Sequence, residues 1–321
     1  MSKANSPRSQ VCTVTKATWA VILSAAASLL GSGCTTNKDA AADDDSGSVA
    51  LMPSGATATG LQQDLAASRD ELSTINRSSN YRLLDIPSLG EFYVPAALLK
   101  DIRKNWSQAR TKLRTSPHDA AALRVLAVHE LALGNYEGAN TYIAIARSAG
   151  VGFDDQSSLL MALAQLAAGN VAGSEAEFER ASTTTQGYAL AHLNRGMYAL
   201  AIGSASQAAA QFSAVISRDD SNLIARLHLG QAYYLLRKFK SSVAEFDRVI
   251  DLDESNALAL YNRGIVLHRG LRQYGPARDS LEKILAMKGV STQMKSKAAG
   301  AIRNLDRDSQ GRDNLATIGA Y

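Results

Sequence analysis

Apolar positions divide the chain into stretches of different character. Between Ala17 and Leu30 the sequence is apolar except at Thr18, Ser24 and Ser28. Residues 35–60 are rich in Ala, Asp, Ser, Gly and Thr with no apolar period, the composition of a flexible tether. From Pro95 onward apolar residues recur at helical spacing. Leu99, Ile102, Trp106, Ala109 and Leu113 step by 3 and 4, which predicts one helix over Pro95–Arg114. A shorter helix is predicted over Gln62–Arg77 and a polar capping helix over Ser291–Asp306, with Gly311–Tyr321 as a loose tail.

Between these flanks the pattern repeats. Gly196, Gly230 and Gly264 fall 34 residues apart, and Phe178, Phe212 and Phe246 share that spacing, as do Asn222 and Asn256. Several residue types sharing one period mark an array of identical units. Five helical hairpins are expected at about 120–154, 155–188, 189–222, 223–256 and 257–290. Gly134, Gly169 and Gly203 suit left-handed helix ends, and Asn222 and Asn256 suit N-caps. Pro276 fits the first turn of a second helix. Small Ala139, Ser174, Ala208 and Ser242 let paired helices approach, with the recurring Phe filling the gap to the next hairpin.

The clearest unit reads Arg226-x₂-Leu229-Gly230-x₂-Tyr233, then Ser242-x₃-Phe246 and a turn at Asp253–Asn256. Its predecessor has Arg195-Gly196 with Ala208-x₃-Phe212. Its successor has Arg263-Gly264 with Ala277-x₃-Leu281, displaced by one inserted residue. These units resemble tetratricopeptide repeats, although the tryptophan and turn proline of that family are absent here. The resemblance implies an all-α solenoid of about five hairpins with capping helices, spanning 120–290 between a degenerate N-terminal region at 61–119 and a C-terminal cap and tail at 291–321.

The N-terminus reads as an address. Lys3, Arg8 and Lys16 precede the apolar run, which is shorter than the roughly 20 residues needed to span a bilayer and ends in Gly31-Ser32-Gly33-Cys34. That ending resembles the lipobox of bacterial lipoproteins, with Gly31 where the family usually has Leu. The resemblance implies a signal peptide over 1–33, an acylated linker over 34–60 and lipid on Cys34. Thr35 in place of Asp implies the outer membrane, facing the periplasm, rather than retention at the inner one. Several acyl chains, at ~0.8 kcal/mol per buried CH₂, hold a protein on a membrane durably. A tether of this length lets the body range about 25–30 Å from the surface. Asp43-Asp44-Asp45 lacks the spaced oxygen ligands and closing Glu of a calcium loop.

Composition narrows the function. The chain has 321 residues, 46% hydrophobic and only 6% aromatic, which suits closely packed helices. The net charge of +4 falls to +1 (4 − 3) once the three N-terminal cations are removed, and no basic stripe remains for nucleic acid. The two cysteines are Cys12 and Cys34, so a chain cut before Cys34 and acylated there has no free thiol. There is no phosphate loop, no G-x-S-x-G and no H-E-x-x-H. No cofactor, metal site or catalytic set is expected.

What remains is surface. In a stack of this kind the first helices line a concave wall, which would present Asn194, Met197, His228, Gln231, Tyr234, Asn262, Ile265 and His268. Asn194 and Asn262 each precede Arg-Gly. In repeats that hold extended peptides, an Asn here hydrogen-bonds the ligand backbone, and Arg226, Arg263 and Arg269 would assist with a carboxylate. The alternative is a solvated Asn beside an Arg whose stem packs along the hairpin. The expected function is a membrane-anchored scaffold that binds other proteins of an envelope complex. Pilus secretin assembly, gliding motility or secretion, and recruitment of peptidoglycan hydrolases are all compatible. A cell-wall or glycan-binding module is the second reading, resting on Tyr234 and Tyr261, and an enzyme is a remote third.

Overall fold

The computed structural model describes residues 80–87, 89–99, 102–148 and 155–318. The expected signal peptide, Cys34, the linker and the helix over Gln62–Arg77 lie outside the described residues.

The first described elements are strands. β1 (Tyr81–Ile86) pairs antiparallel with β2 (Gly90–Pro95), with Leu83 opposite Tyr93 and Ile86 opposite Gly90. The turn is local chemistry: the Leu89 N–H returns to the Ile86 carbonyl at 3.1 Å, and Gly90 takes φ +98°, which glycine adopts without a Cβ penalty. This hairpin was not expected from the sequence. Its period-2 signal is erased because Phe92, Tyr93 and Val94 are all buried, so β2 is apolar on both faces.

The rest is helical. α1 (Ala96–Leu99) and α2 (Ile102–Thr115) stand where one helix over Pro95–Arg114 was expected. Five helical hairpins follow. α3 (Ala120–Leu133) pairs with α4 (Tyr136–Ser148), and α5 (Asp155–Ala167) with α6 (Val171–Ala181). α7 (Thr185–Ala201) pairs with α8 (Ala205–Arg218), and α9 (Leu223–Leu235) with α10 (Phe239–Leu252). α11 (Ala257–Ile265) continues through a π-helical turn, Val266–Gly270, and pairs with α12 (Tyr274–Ala286). α13 (Thr292–Ile318) caps the stack and runs past the expected end at Asp306.

The helix ends follow their sequence signals. Asp119, Asn170, Thr184, Asn222 and Asn256 each accept a backbone N–H two or three residues into the helix that follows. Gly134, Gly169 and Gly203 close first helices at φ 77–82°. The inserted residue of the last repeat is absorbed by the π turn, where the Leu271 N–H reaches back to the Val266 carbonyl at 3.1 Å.

The 34-residue glycines make room for a large side chain of their own hairpin, an aromatic ring at Gly196 and Gly230 and Leu281 at Gly264. A Cβ on Gly196 would lie 2.4 Å from Phe212, and one on Gly230 would lie 2.7 Å from Phe246. Phe212 then stacks at 5.3 Å on His228 of the next hairpin, so one ring joins both the helix pair and the repeat interface. Ser242 adds a buried hydrogen bond from its hydroxyl to the Gly230 carbonyl, 2.7 Å.

Candidate functional site

The first helices α7, α9 and α11 place Asn194, His228 and Asn262 at equivalent positions of successive repeats. The chain's own strand β2 lies against the first two. Asn194 Oδ1 accepts the Tyr93 N–H at 2.7 Å, and Asn194 Nδ2 donates to the Tyr93 carbonyl at 2.8 Å. In an antiparallel pair, alternate residues point both backbone polar groups away from the partner strand. Tyr93 is such a residue, and the Asn194 amide meets it where a third strand would.

The Tyr93 side chain is read as well. Its hydroxyl lies 2.8 Å from His228 Nε2, and His228 Nδ1 lies 2.8 Å from Gln231 Oε1. An amide oxygen only accepts, so Nδ1 carries the proton and Nε2 accepts from the phenol. Burial is the largest cause that lowers the His228 pKa, to about 4, and the bond to Gln231 offsets only part of it. Burial also pushes the Tyr93 phenol up, with the Glu91 charge adding to the effect. The pair is therefore neutral on both sides near pH 7.

The other groove candidates have different neighbours. Met197 is half-buried against the main apolar cluster, and Ile265 is inside the second one. Tyr234 is buried with its ring tilted against Phe239, which withdraws it from any exposed glycan platform. Arg226 is buried and clamps a turn: it bonds the Asp220 carbonyl (2.8 Å), the Asp220 carboxylate and Glu245 (2.7 Å). His268 leaves the π turn to meet Asp308 of α13 at 2.9 Å, and Arg269 beside it is half-buried. Arg263 reaches Asp247 at 2.5 Å and Ser280 at 2.6 Å, and Arg195 reaches Glu175 at 2.8 Å, so both arginines lie along neighbouring helices.

Asn262 is different again. It is fully buried, and neither amide atom has a hydrogen-bond partner among the described residues. Its equivalent Asn194 has the same two atoms satisfied by strand backbone.

Sequence reasoning missed Tyr93, the residue around which the site is built. The signal was present in Pro87 and Gly90 punctuating Leu83-Leu84-Asp85-Ile86 and Phe92-Tyr93-Val94. Among the described residues no group of three or more His, Cys, Asp or Glu is placed to hold a metal ion, and no helix is long and apolar enough to cross a membrane.

Among curated proteins none matches the chain. A chain of the APC/C hetero-tetramer Cut9–Hcn1 is similar in structure, with TM-score 0.48 and 15% identity. The match covers 65% of this protein and 40% of that chain. The MamA RS-1 ArsTM double mutant is similar with TM-score 0.41 and 17% identity over 59% of this protein and 97% of that chain. The tetratricopeptide repeat family matches residues 159–222, 193–257 and 227–289 in overlapping pairs of hairpins. With their 34-residue period, paired helices and glycine–aromatic contacts, residues 159–289 are tetratricopeptide repeats, within an all-α solenoid of the kind that serves as a protein-interaction scaffold.

Proposed function

We propose that this scaffold is an adaptor of the bacterial envelope, held at the outer membrane through acyl chains on Cys34 and facing the periplasm, where it recruits another protein of an envelope complex. The observation that supports the mode of recruitment is the two-point grip of Asn194 on Tyr93. A side-chain amide that bonds both backbone groups of one residue reads an extended chain whatever its sequence.

The protein's own hairpin already fills that place; two repeats on, the equivalent amide of Asn262 is buried with both atoms unmet among the described residues, so a partner's extended segment would reach it by displacing what covers it. An unpaired buried amide costs about 1–3 kcal/mol per group. A residue kept at that cost, with its donor and acceptor unmet, is suited to a ligand that supplies the complement.

Two measurements test the reading. Cross-linked partners are captured from envelope extracts with the native chain and with Asn262→Ala. Loss of one partner is expected, and an unchanged set would remove Asn262 from recognition. Incorporation of a labelled fatty acid, abolished by Cys34→Ser, is expected for the anchor; a native chain that takes up no label refutes it.

A further inference from the structure

The turns that join first to second helices all lie on one edge of the stack, because the first helices run in a common direction. At this turn three repeats have glycine in the left-handed conformation: Gly134, Gly169 and Gly203, at φ 77°, 82° and 79°. The next two repeats have Arg237 and Arg272 at the same place, at φ 61° and 54°. A Cβ is penalised there and glycine is not. Two consecutive repeats thus hold an arginine where the fold itself favours glycine, and both side chains are exposed. Lys238 follows Arg237 on the surface, where the earlier repeats have Asn135, Asn170 and Ser204.

None of Arg237, Lys238 or Arg272 has a carboxylate partner among the described residues. Glu137 is the acid in the first turn of α4, Glu130 lies in the last turn of α3, and Asp279 lies in the second turn of α12. The opposite edge, where second helices lead to the next repeat, carries Asp219, Asp220, Asp253 and Glu254. Those acids lie among Arg147, Arg180, Arg218 and Lys283 in the last turns of the second helices, so that edge is mixed in sign, whereas the turns of the fourth and fifth hairpins carry Arg237, Lys238 and Arg272. The glycine-bearing turns of the basic edge add large apolar side chains in solvent: Leu133 is 65% exposed, Ile202 54% and Val171 42%.

We propose that this edge is a docking surface for an anionic phospholipid bilayer, with Arg237, Lys238 and Arg272 meeting headgroup phosphates and Leu133, Val171 and Ile202 entering the interface. Cations without carboxylate partners and exposed apolar side chains along one edge are the two ingredients of interfacial adsorption, and of these cations Arg237 also lies over the Phe239 ring at 5.9 Å. An acidic protein would match the cations alone. The choice of lipid over acidic protein also rests on the acyl anchor proposed above, which would raise the concentration of bilayer around the whole body.

The test uses the full chain carrying Cys34→Ser, so that no acyl chain contributes, and vesicles of phosphatidylcholine with or without phosphatidylglycerol. A second chain adds Arg237→Gly, Lys238→Ser and Arg272→Gly, which rebuilds the Gly203-Ser204 turn and leaves the backbone at ease. Both chains have the same N-terminal segment, so their difference reports the edge. Each cation near an anionic surface is worth about fivefold in partitioning, so the triple variant is expected to bind phosphatidylglycerol vesicles roughly 100-fold more weakly. Its melting temperature should not fall, and the difference should vanish in 1 M salt. Equal binding by the two chains overturns the proposal, as does equal binding to both kinds of vesicle. Retention on a polyglutamate surface without vesicle binding also overturns it and assigns the edge to an acidic protein. Fatty-acid labelling of Cys34 is read separately, so either proposal can fail without the other.

Discussion

Asn194 grips Tyr93 from 101 residues away along the chain, bonding its N–H and its C=O at 2.7 and 2.8 Å. The amide does for β2 what a neighbouring strand would do, while the phenol of the same residue ends on His228 at 2.8 Å. A groove that in sequence looked free for a ligand thus holds an internal one.

Asn194 and Asn262 should respond oppositely to truncation. Asn194→Ala leaves two buried backbone groups of Tyr93 unmet and is expected to lower stability by about 2–4 kcal/mol. Asn262→Ala removes two amide atoms that have no partner among the described residues, so its stability should be unchanged or slightly raised. Urea denaturation of the two variants makes the comparison, and equal losses would contradict it.

Tyr93→Phe keeps the ring and strips only the hydroxyl. His228 Nε2 is then left without its donor in a site closed to solvent, at a cost of about 1–3 kcal/mol. Thermal melting followed by circular dichroism measures it, with His228→Gln as the variant whose side-chain oxygen can still accept from the phenol.

Acid should weaken the fold through His228. Its folded pKa of about 4 lies below the ordinary imidazole value of 6.5, so the unfolded chain binds the proton more readily. The contribution is complete above about pH 6.5 and is lost as pH falls through 4. A difference of that size corresponds to about 3 kcal/mol. Melting temperatures of the native chain should slope downward across this window more steeply than those of His228→Gln; parallel curves would show that His228 is not the group responsible.

Glycine-to-alanine changes should separate packing from propensity. At Gly300 the nearest atom to an added Cβ is Arg303 Nη2 at 3.7 Å, so the change should gain about 0.5–1 kcal/mol from reduced backbone freedom. At Gly196 the same Cβ would meet three atoms of the Phe212 ring at 2.4–2.9 Å, and His228 backs that ring. Overpacking of about 1–3 kcal/mol outweighs the gain there. Calorimetry on both variants should give shifts of opposite sign, and Phe212→Leu should restore part of the loss at Gly196.

The helical repeats were legible because each identity recurs for one packing reason. Gly196 is small because Phe212 lies on it, and Asn222 is polar because it caps α9. The π turn was foreshadowed by the extra residue between Gly264 and Ala277. The hairpin was marked only by its punctuation at Pro87 and Gly90, since a strand buried on both faces shows no alternation and the side chains that hold it, Asn194 and His228, are distant in sequence. Most of the groove candidates lie on first helices, but the majority of them are buried rather than open to a ligand. Arg226 and His268 find Asp220 and Asp308 within the molecule, and Tyr234 turns inward, none of which follows from a 34-residue period.

A stack in which each hairpin touches only its neighbours tends to melt piecemeal from its ends. Here β1 and β2 break that locality. The carbonyl of Pro87 is bound by Tyr136 in the first hairpin, Tyr93 is bound by Asn194 in the third and His228 in the fourth, and Leu83 lies against both large apolar clusters. These contacts span 49, 101 and 135 residues and raise the contact order well above that of a bare helical array. Folding is slowed by the closure of such loops. In return the central repeats share a single transition with the segment that precedes them, so that unravelling at one end cannot proceed past the hairpin without opening the whole interior.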